Sequence, residues 1–360
     1  MLCARPALFL DARVTAALDA ALARGAPGEQ HLVLRILLDY LDTEAAASAG
    51  APAAAEAAAH EAAAPADVLG ELRGTTDEHA DTGVASALIQ QYAAHVLRAA
   101  LAVEHPALQR TANEIVQVSV LQGLSHPIQC LPYLVALGTT RDAALRRRAV
   151  ALHRHLATKH ASLLATQHAE PMRASFAFQA AQSAPERPRG YRVEDEPVAL
   201  LQAWYAMLRE HRSARHAFLR ALVKLLDVPE PEACTEEAVA LAAYAAENLA
   251  TLAYKVLDEP LYVLHELHLL HAETGLQVLG HAERCLRQRG PSPLTDEDEE
   301  ADDAPGGSGG DGAPGSGDDA RILALARAAL VVQAAQALRA HLKTMYKLSE
   351  AYVGALTQEI

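Results

Sequence analysis

The stretch PALQRTANEIVQVSVLQGLSHPIQCLPYLVALGTTRDAALRRRA, residues 106–149, decides how the chain folds. Leu108, Ala112, Ile115, Val116 and Val120 recur at helical spacing, which predicts a helix opening at Pro106. Proline is tolerated there because first-turn N–H groups have no helical partner. Gly123 is placed to end this helix in a left-handed conformation. Pro127 opens a second helix behind Ser125 or His126. Pro132 falls inside it, where one ladder bond is lost and the axis bends. Gly138 closes it, and Thr140 caps a third helix that begins with Arg141 and Asp142.

Two phrases repeat within this stretch. Ala107-Leu108-Gln109-Arg110, followed by Ala112, returns as Ala144-Leu145-Arg146-Arg147, followed by Ala149, an offset of 37 residues. A short repeat of paired helices, one of them bent at proline, marks an all-α solenoid of HEAT or armadillo type. Each pair buries its apolar face only against its neighbours.

Working outward, the composition favours the same class. Aromatics make up 4% of the 360 residues, and alanine and leucine dominate, which favours helices over sheets. No uninterrupted apolar run of about 18 residues occurs, so no membrane span is expected. The opening MLCARPALFL is too short for a secretion signal and runs into an amphipathic pattern. Cys3, Cys130, Cys234 and Cys285 stand singly, with no CxxC pair. That argues against zinc and against a disulfide framework, and for a reducing compartment.

The net charge of −14 is unevenly spread. Residues 291–319 hold ten Asp/Glu and no Lys/Arg, and residues 42–81 hold nine against one Arg; the remainder carries +4. Residues 141–224 hold 15 Lys/Arg against 7 Asp/Glu. A basic interior segment between solvated acidic stretches suits one face meeting a polyanion.

The expected organisation follows. Residues 1–42 form an N-terminal helical hairpin, with helices over 6–24 and 29–42. Residues 43–83 form a low-complexity loop, alanine-rich and then acidic, with a short helix at 67–73. Residues 84–289 form the solenoid, with helices at 84–101, through the opening stretch, along a run from 141 to about 182, and then at 195–211, 213–227, 235–253 and 259–289. Gly275 and Gly280 are placed to split the last of these into a pair. Residues 290–319 form a disordered acidic linker, residues 320–348 a C-terminal helix that docks back on the solenoid, and residues 349–360 a tail.

Two basic clusters are candidate phosphate contacts. Arg146, Arg147, Arg154 and Lys159, with Arg148, lie on one helix, and Arg147 and Arg154 share a face. Arg212, Arg215, Arg220 and Lys224, with Arg209, straddle a helix–helix turn. Phosphate contact needs charge and reach and carries no base specificity. The alternative is solvated ridges with ion pairs between repeats. Arg189-Gly190-Tyr191 reads as a turn that anchors a helix entry, and Trp204 and Tyr205 as core. His265, His268 and His271 recur at every third position, where metal binding wants i, i+4 pairs. No phosphate-loop glycine motif, GxSxG elbow or HExxH occurs, so no enzymatic activity and no cofactor are expected.

Several phrases, in this order and spacing, resemble the cohesin loader of the Nipped-B (adherin) type. They are ALIQQYAAHVLRAAL (87–101), EIVQVSVLQGLSHPIQCLPYLVALGT (114–139), PRGYR (188–192), REHRSARHAFLRALVKLLD (209–227), AENLATLAYKVLDEPLYVLHEL (246–267) and ARILALARAALVVQAAQALRAHLK (320–343). The resemblance covers roughly residues 84–348 and is to the C-terminal region of that large HEAT-repeat subunit. It implies the C-terminal part of a hook-shaped all-α HEAT-repeat solenoid with a disordered acidic insert. It also implies a nuclear, chromatin-associated role in sister chromatid cohesion. There the hook holds DNA against the cohesin ATPase heads, contacts the kleisin subunit, and stimulates cohesin's ATP hydrolysis without being an ATPase. The family's N-terminal segment, which binds a smaller loader subunit, has no counterpart here, so this chain is not expected to bind that subunit. The alanine-rich stretch 43–66 departs from the family pattern. A different reading of the same helices is a HEAT-type adaptor that binds protein alone and ignores DNA.

Overall fold

The computed structural model describes residues 8–9, 11–59, 76–289 and 316–349. Most of the linker expected at 290–319, the short helix expected at 67–73 and the tail from 350 lie outside the described residues. Two compact units divide the chain, Met1–Gln182 and Ser183–Ile360.

The first unit holds eight helices among its described residues: α1 (Ala12–Arg24), α2 (Pro27–Ala59), α3 (Thr76–Ala100), α4 (Pro106–Gln122), α5 (Pro127–Leu137), α6 (Ala143–Lys159), the single turn α7 (Ala161–Leu164) and α8 (Ala169–Ser183). The opening stretch folds into α4, α5 and the start of α6. Pro106 and Pro127 open their helices, and Gly123 ends α4 at φ 74°. Leu108, Ala112, Ile115 and Val116 of α4 are buried between α2 and α3. Leu131, Leu134 and Val135 of α5 are buried in turn, with Ala149, Leu152 and Leu156 of α6 against them. Each of these leucine, isoleucine and valine side chains contributes about 1.5–3 kcal/mol on leaving water.

Several boundaries differ from the sequence reading. Helix α2 continues to Ala59, through residues expected to be loop. Alanine has the highest helix propensity, so a helix already nucleated at Pro27 propagates through it. Helix α3 likewise starts at Thr76 instead of 84. Asp142, and not Thr140, caps α6, its carboxylate accepting from Ala144 N at 2.8 Å and Leu145 N at 3.2 Å. The run expected from 141 to 182 breaks at His160, whose φ −128° and ψ 38° are not helical.

The second unit begins with a short antiparallel hairpin, β1 (Tyr191–Val193) and β2 (Pro197–Ala199), where a helix was expected from 195. Then come α9 (Gln202–Leu208), α10 (Arg212–Val223), 3₁₀ turns at Lys224–Leu226 and Pro231–Ala233, α11 (Glu236–Thr251), α12 (Asp258–Leu270), a π turn His271–Gly275, α13 (Leu276–Arg289) and α14 (Ser316–Met345). A π turn that ends at Gly275 separates α12 from α13, at the first of the two glycines placed to split the helix, and α13 runs on through Gly280. Helix α14 begins four residues before the expected 320.

The hairpin hangs on α11. Glu247 accepts from Gly190 N at 2.7 Å and from the Arg187 guanidinium, while buried Asn248 accepts from Leu201 N at 3.0 Å. A Cβ on Gly190 would collide with the Tyr244 carbonyl oxygen and lie 2.8 Å from Asn248 N. The expected turn at Arg189-Gly190-Tyr191 is therefore a close backbone approach that only glycine permits.

Within α14, Asp318–Met345 is long and apolar enough, by length and composition, to cross a bilayer. Its buried residues Leu325, Ala328, Val331, Ala335, Leu338 and Leu342 form one helical stripe. Helix α14 packs chiefly on α11 and also touches α12 and α13. At its start Arg321 and His281 of α13 both reach Glu232 Oε1, each at 2.6 Å. Hydrogen bonds from Arg321 and then His281 hold the Glu232 carboxyl down at about 2.

Candidate polyanion face

Helix α6 carries Arg146, Arg147, Arg148, Arg154 and Lys159 and no acidic residue. Its buried side is Ala149, Leu152, His153 and Leu156. With 3.6 residues per turn, that places Arg147, Ala151, Arg154 and Thr158 along the opposite side, with Arg148 and Lys159 on one flank. Arg147, Arg148, Arg154 and Lys159 are all exposed. Among the described residues, no carboxylate lies within ion-pair distance of these four. Arg147 and Lys159 stand roughly 18 Å apart along the axis at 1.5 Å per residue. Burial lowers the pKa of His153 to about 4, so it adds no charge at neutral pH.

Arg146 does not belong to this outward row. It is half-buried, and its Nη1 donates to the carbonyls of Thr140 at 3.0 Å and Arg141 at 3.4 Å, tying the α5–α6 loop.

The second cluster resolves differently. Helices α10 and α12 present matching ladders at i, i+4, i+8. Arg212, His216 and Arg220 stand over Asp258, Tyr262 and Glu266, each pair 46 residues apart. Arg212 Nη2 reaches Asp258 Oδ1 at 3.1 Å. His216 stacks on Tyr262 with ring centroids 3.8 Å apart and planes 10° from parallel. Arg220 donates Nε and Nη2 to Glu266 Oε1 at 3.0 and 2.9 Å. A constant offset across three pairs means the two helices run in the same direction, with α11 as the return between them.

Arg215, a candidate phosphate contact, is turned inward. It is 9% exposed, donates to Asp258 Oδ2 at 2.8 Å and to the Arg209 carbonyl at 2.7 Å, and is enclosed by α12. Beneath the ladder lies Glu259, 0% exposed. Its Oε2 accepts from Lys255 N at 2.7 Å, and its Oε1 lies 3.7 Å from Arg209 Nε and 3.8 Å from Arg215 Nε. Burial by itself would raise the Asp258 carboxyl. The hydrogen bonds from His216, Arg215 and Arg212 outweigh it and bring the carboxyl to about 2. Lys224 is exposed on its 3₁₀ turn, one helical turn beyond Arg220.

The sequence reading missed Asp258, Glu259 and Glu266 as partners of these arginines. The signal was present in the spacing: R-x₃-H-x₃-R from 212 and D-x₃-Y-x₃-E from 258. His271, the last of the three spaced histidines, turns its Nδ1 to the Leu267 carbonyl at 2.6 Å.

Comparison with known proteins shows what the chain is similar to. A family model described as the sister chromatid cohesion C-terminus, Nipped-B_C, matches residues 85–270. The Nipped-B-like protein of Mus musculus is 31% identical over 200 residues, covering 55% of this chain and 7% of that protein. The sister chromatid cohesion protein mis4 of Schizosaccharomyces pombe is 23% identical over 219 residues, covering 61% of this chain and 14% of that one. Among solved structures, the Chaetomium thermophilum cohesin loader SCC2 C-terminal fragment superposes with TM-score 0.67 at 21% identity. That match covers 95% of this chain and 21% of the fragment. The likeness establishes the fold as an all-α helical solenoid. The matches span only 7% of the length of the first Nipped-B-like relatives.

Proposed function

The chain belongs to the Nipped-B family through its sister chromatid cohesion C-terminus, and on that premise we propose that it acts in sister chromatid cohesion as a DNA-gripping part of a cohesin-loading factor. It works in the nucleus, on chromatin, and performs no bond chemistry of its own. The observation that carries the reading is the exposed α6 face, where Arg147, Arg154 and Lys159 meet no carboxylate among the described residues. An unneutralised cationic face of this kind, with Arg147 and Arg154 in line and Lys159 on the flank, meets the phosphates of a duplex backbone and displaces condensed counterions. Arg148 extends it. Arg212, Arg215 and Arg220 are left out of the contact set, because α12 carboxylates already neutralise them. Lys224 remains available on its turn.

In this proposal the chain holds duplex DNA against the ATPase heads of cohesin, touches its kleisin subunit, and raises the rate of ATP hydrolysis by the DNA-bound complex. Purified cohesin trimer tests it directly. The wild-type chain should co-purify with the trimer and raise its DNA-dependent ATPase rate. The double variant Arg147→Glu, Arg154→Glu should still co-purify and lose most of the DNA-dependent part. A chain that binds trimer and leaves the rate unchanged, with or without DNA, contradicts the proposal and favours a purely protein-binding adaptor.

A further inference from the structure

The ladder between α10 and α12 has an outer side. There an open groove of about 720 Å³ is lined by Glu210, His211, Arg212, Ser213, His216, Ala217, Arg220 and Tyr262. The two arginine side chains at its ends are more than half exposed, at 64% for Arg212 and 56% for Arg220. Both are nevertheless held. Arg212 uses one nitrogen on Asp258, and Arg220 uses two on Glu266. The Arg220 guanidinium carbon also lies 5.6 Å from the centre of the Tyr262 ring. Each guanidinium carries five N–H donors in a planar fork. Both therefore keep donors in reserve, in orientations fixed from behind by the α12 carboxylates.

We propose that this groove is a docking site for an acidic peptide segment of a protein partner, with Arg212 and Arg220 each taking a carboxylate side chain. Three observations separate this occupant from duplex DNA. Arg209, Arg212, Arg215 and Arg220 are matched by Asp258, Glu259, Glu266 and, at the rim, Glu210, so the site has almost no net charge. Duplex binding draws on net charge and counterion release. Recognition of a single carboxylate draws on a pre-oriented fork, which needs no net charge. The groove is also shallow and spans only a few side chains, and the stacked His216–Tyr262 pair is part of its lining. Holding the arginines in place beforehand removes part of the ordering cost of binding.

The site is independent of the α6 face, and one experiment keeps the two apart. A fluorescein-labelled octaglutamate peptide serves as the probe, octaglutamine as its neutral counterpart, and a duplex of about 30 bp as the rival ligand. The full chain should bind octaglutamate at physiological salt and ignore octaglutamine. Arg212→Gln should weaken the peptide about ten-fold, the scale of one charge-assisted hydrogen-bond pair. It leaves Asp258 with Arg215 and His216, so the fold is retained, as a thermal melt checks. Arg220→Lys keeps the charge opposite Glu266 and loses the fork, and should cost a similar factor. Arg147→Glu with Arg154→Glu should leave peptide affinity within about two-fold. The proposal is overturned if octaglutamate does not bind, if Arg220→Lys binds it as well as wild type, or if the α6 reversals abolish it. It is equally overturned if the groove variants weaken duplex binding and leave the peptide unaffected.

Discussion

Single residues carry the charge balance of the second unit. Asp258 collects three donors and sits at about 2, below the ordinary value of 3.8. Its stabilising effect is therefore complete above about pH 4 and is lost as the pH falls toward 2. A shift of this size corresponds to about 2 kcal/mol. Asp258→Asn should lower the unfolding free energy measured by urea melts at pH 7 by about that much, and the gap to wild type should close between about pH 4 and pH 2. A gap that stays constant through that window would mean the carboxylate is not paired. Gly190 makes a second demand at this scale. Gly190→Ala forces a Cβ against the Tyr244 carbonyl and should cost about 1–3 kcal/mol in a chemical melt, whereas Gly28→Ala, with open space around it, should cost far less. The sequence alone could not tell Arg147 from Arg215. Both sit on helices in basic runs, and charge says nothing of its partner until the facing helix is known.

Helices were legible where apolar spacing and special residues agree. Pro106, Gly123, Pro127 and Pro132 predicted α4 and α5 closely because each acts through backbone geometry, which depends little on distant contacts. Legibility failed where helix propensity carried on through a stretch that reads as low-complexity loop, as in the alanine run that prolongs α2. It failed also where one residue changes the local backbone, as at His160 or at the hairpin before α9. The α10–α12 ladder stood in the sequence as two i, i+4, i+8 rows. Their pairing at an offset of 46 could not be read, because nothing local specifies which helix returns beside which. At this scale α14 supplies a test of packing. Leu342 is fully buried, so Leu342→Ala should destabilise the second unit by about 2–5 kcal/mol. If the thermal midpoint stays put, α14 does not dock as described.

Within each unit, among the described residues, packed helices bury apolar stripes against one another and leave charged residues exposed. In the proposed function such a scaffold recognises other molecules by surface and charge. It explains how the fold persists against the SCC2 fragment at 21% identity, since a solenoid needs apolar residues at the right period more than particular ones. Function is harder to read at this scale, because a basic row looks alike whether it binds phosphate or pairs with a neighbour. The structure divides the two clusters by their partners, and the division can be measured. Binding of the chain to a duplex of about 30 bp, titrated between about 50 and 200 mM salt, is the most direct test. With Arg147, Arg154 and Lys159 on phosphates, log K should fall against log salt with a slope near −3, at about 0.9 per contact. Arg147→Glu with Arg154→Glu should weaken binding at every salt concentration and flatten the slope by about two units. The same affinity and slope in the double variant would show that the α6 face does not hold DNA.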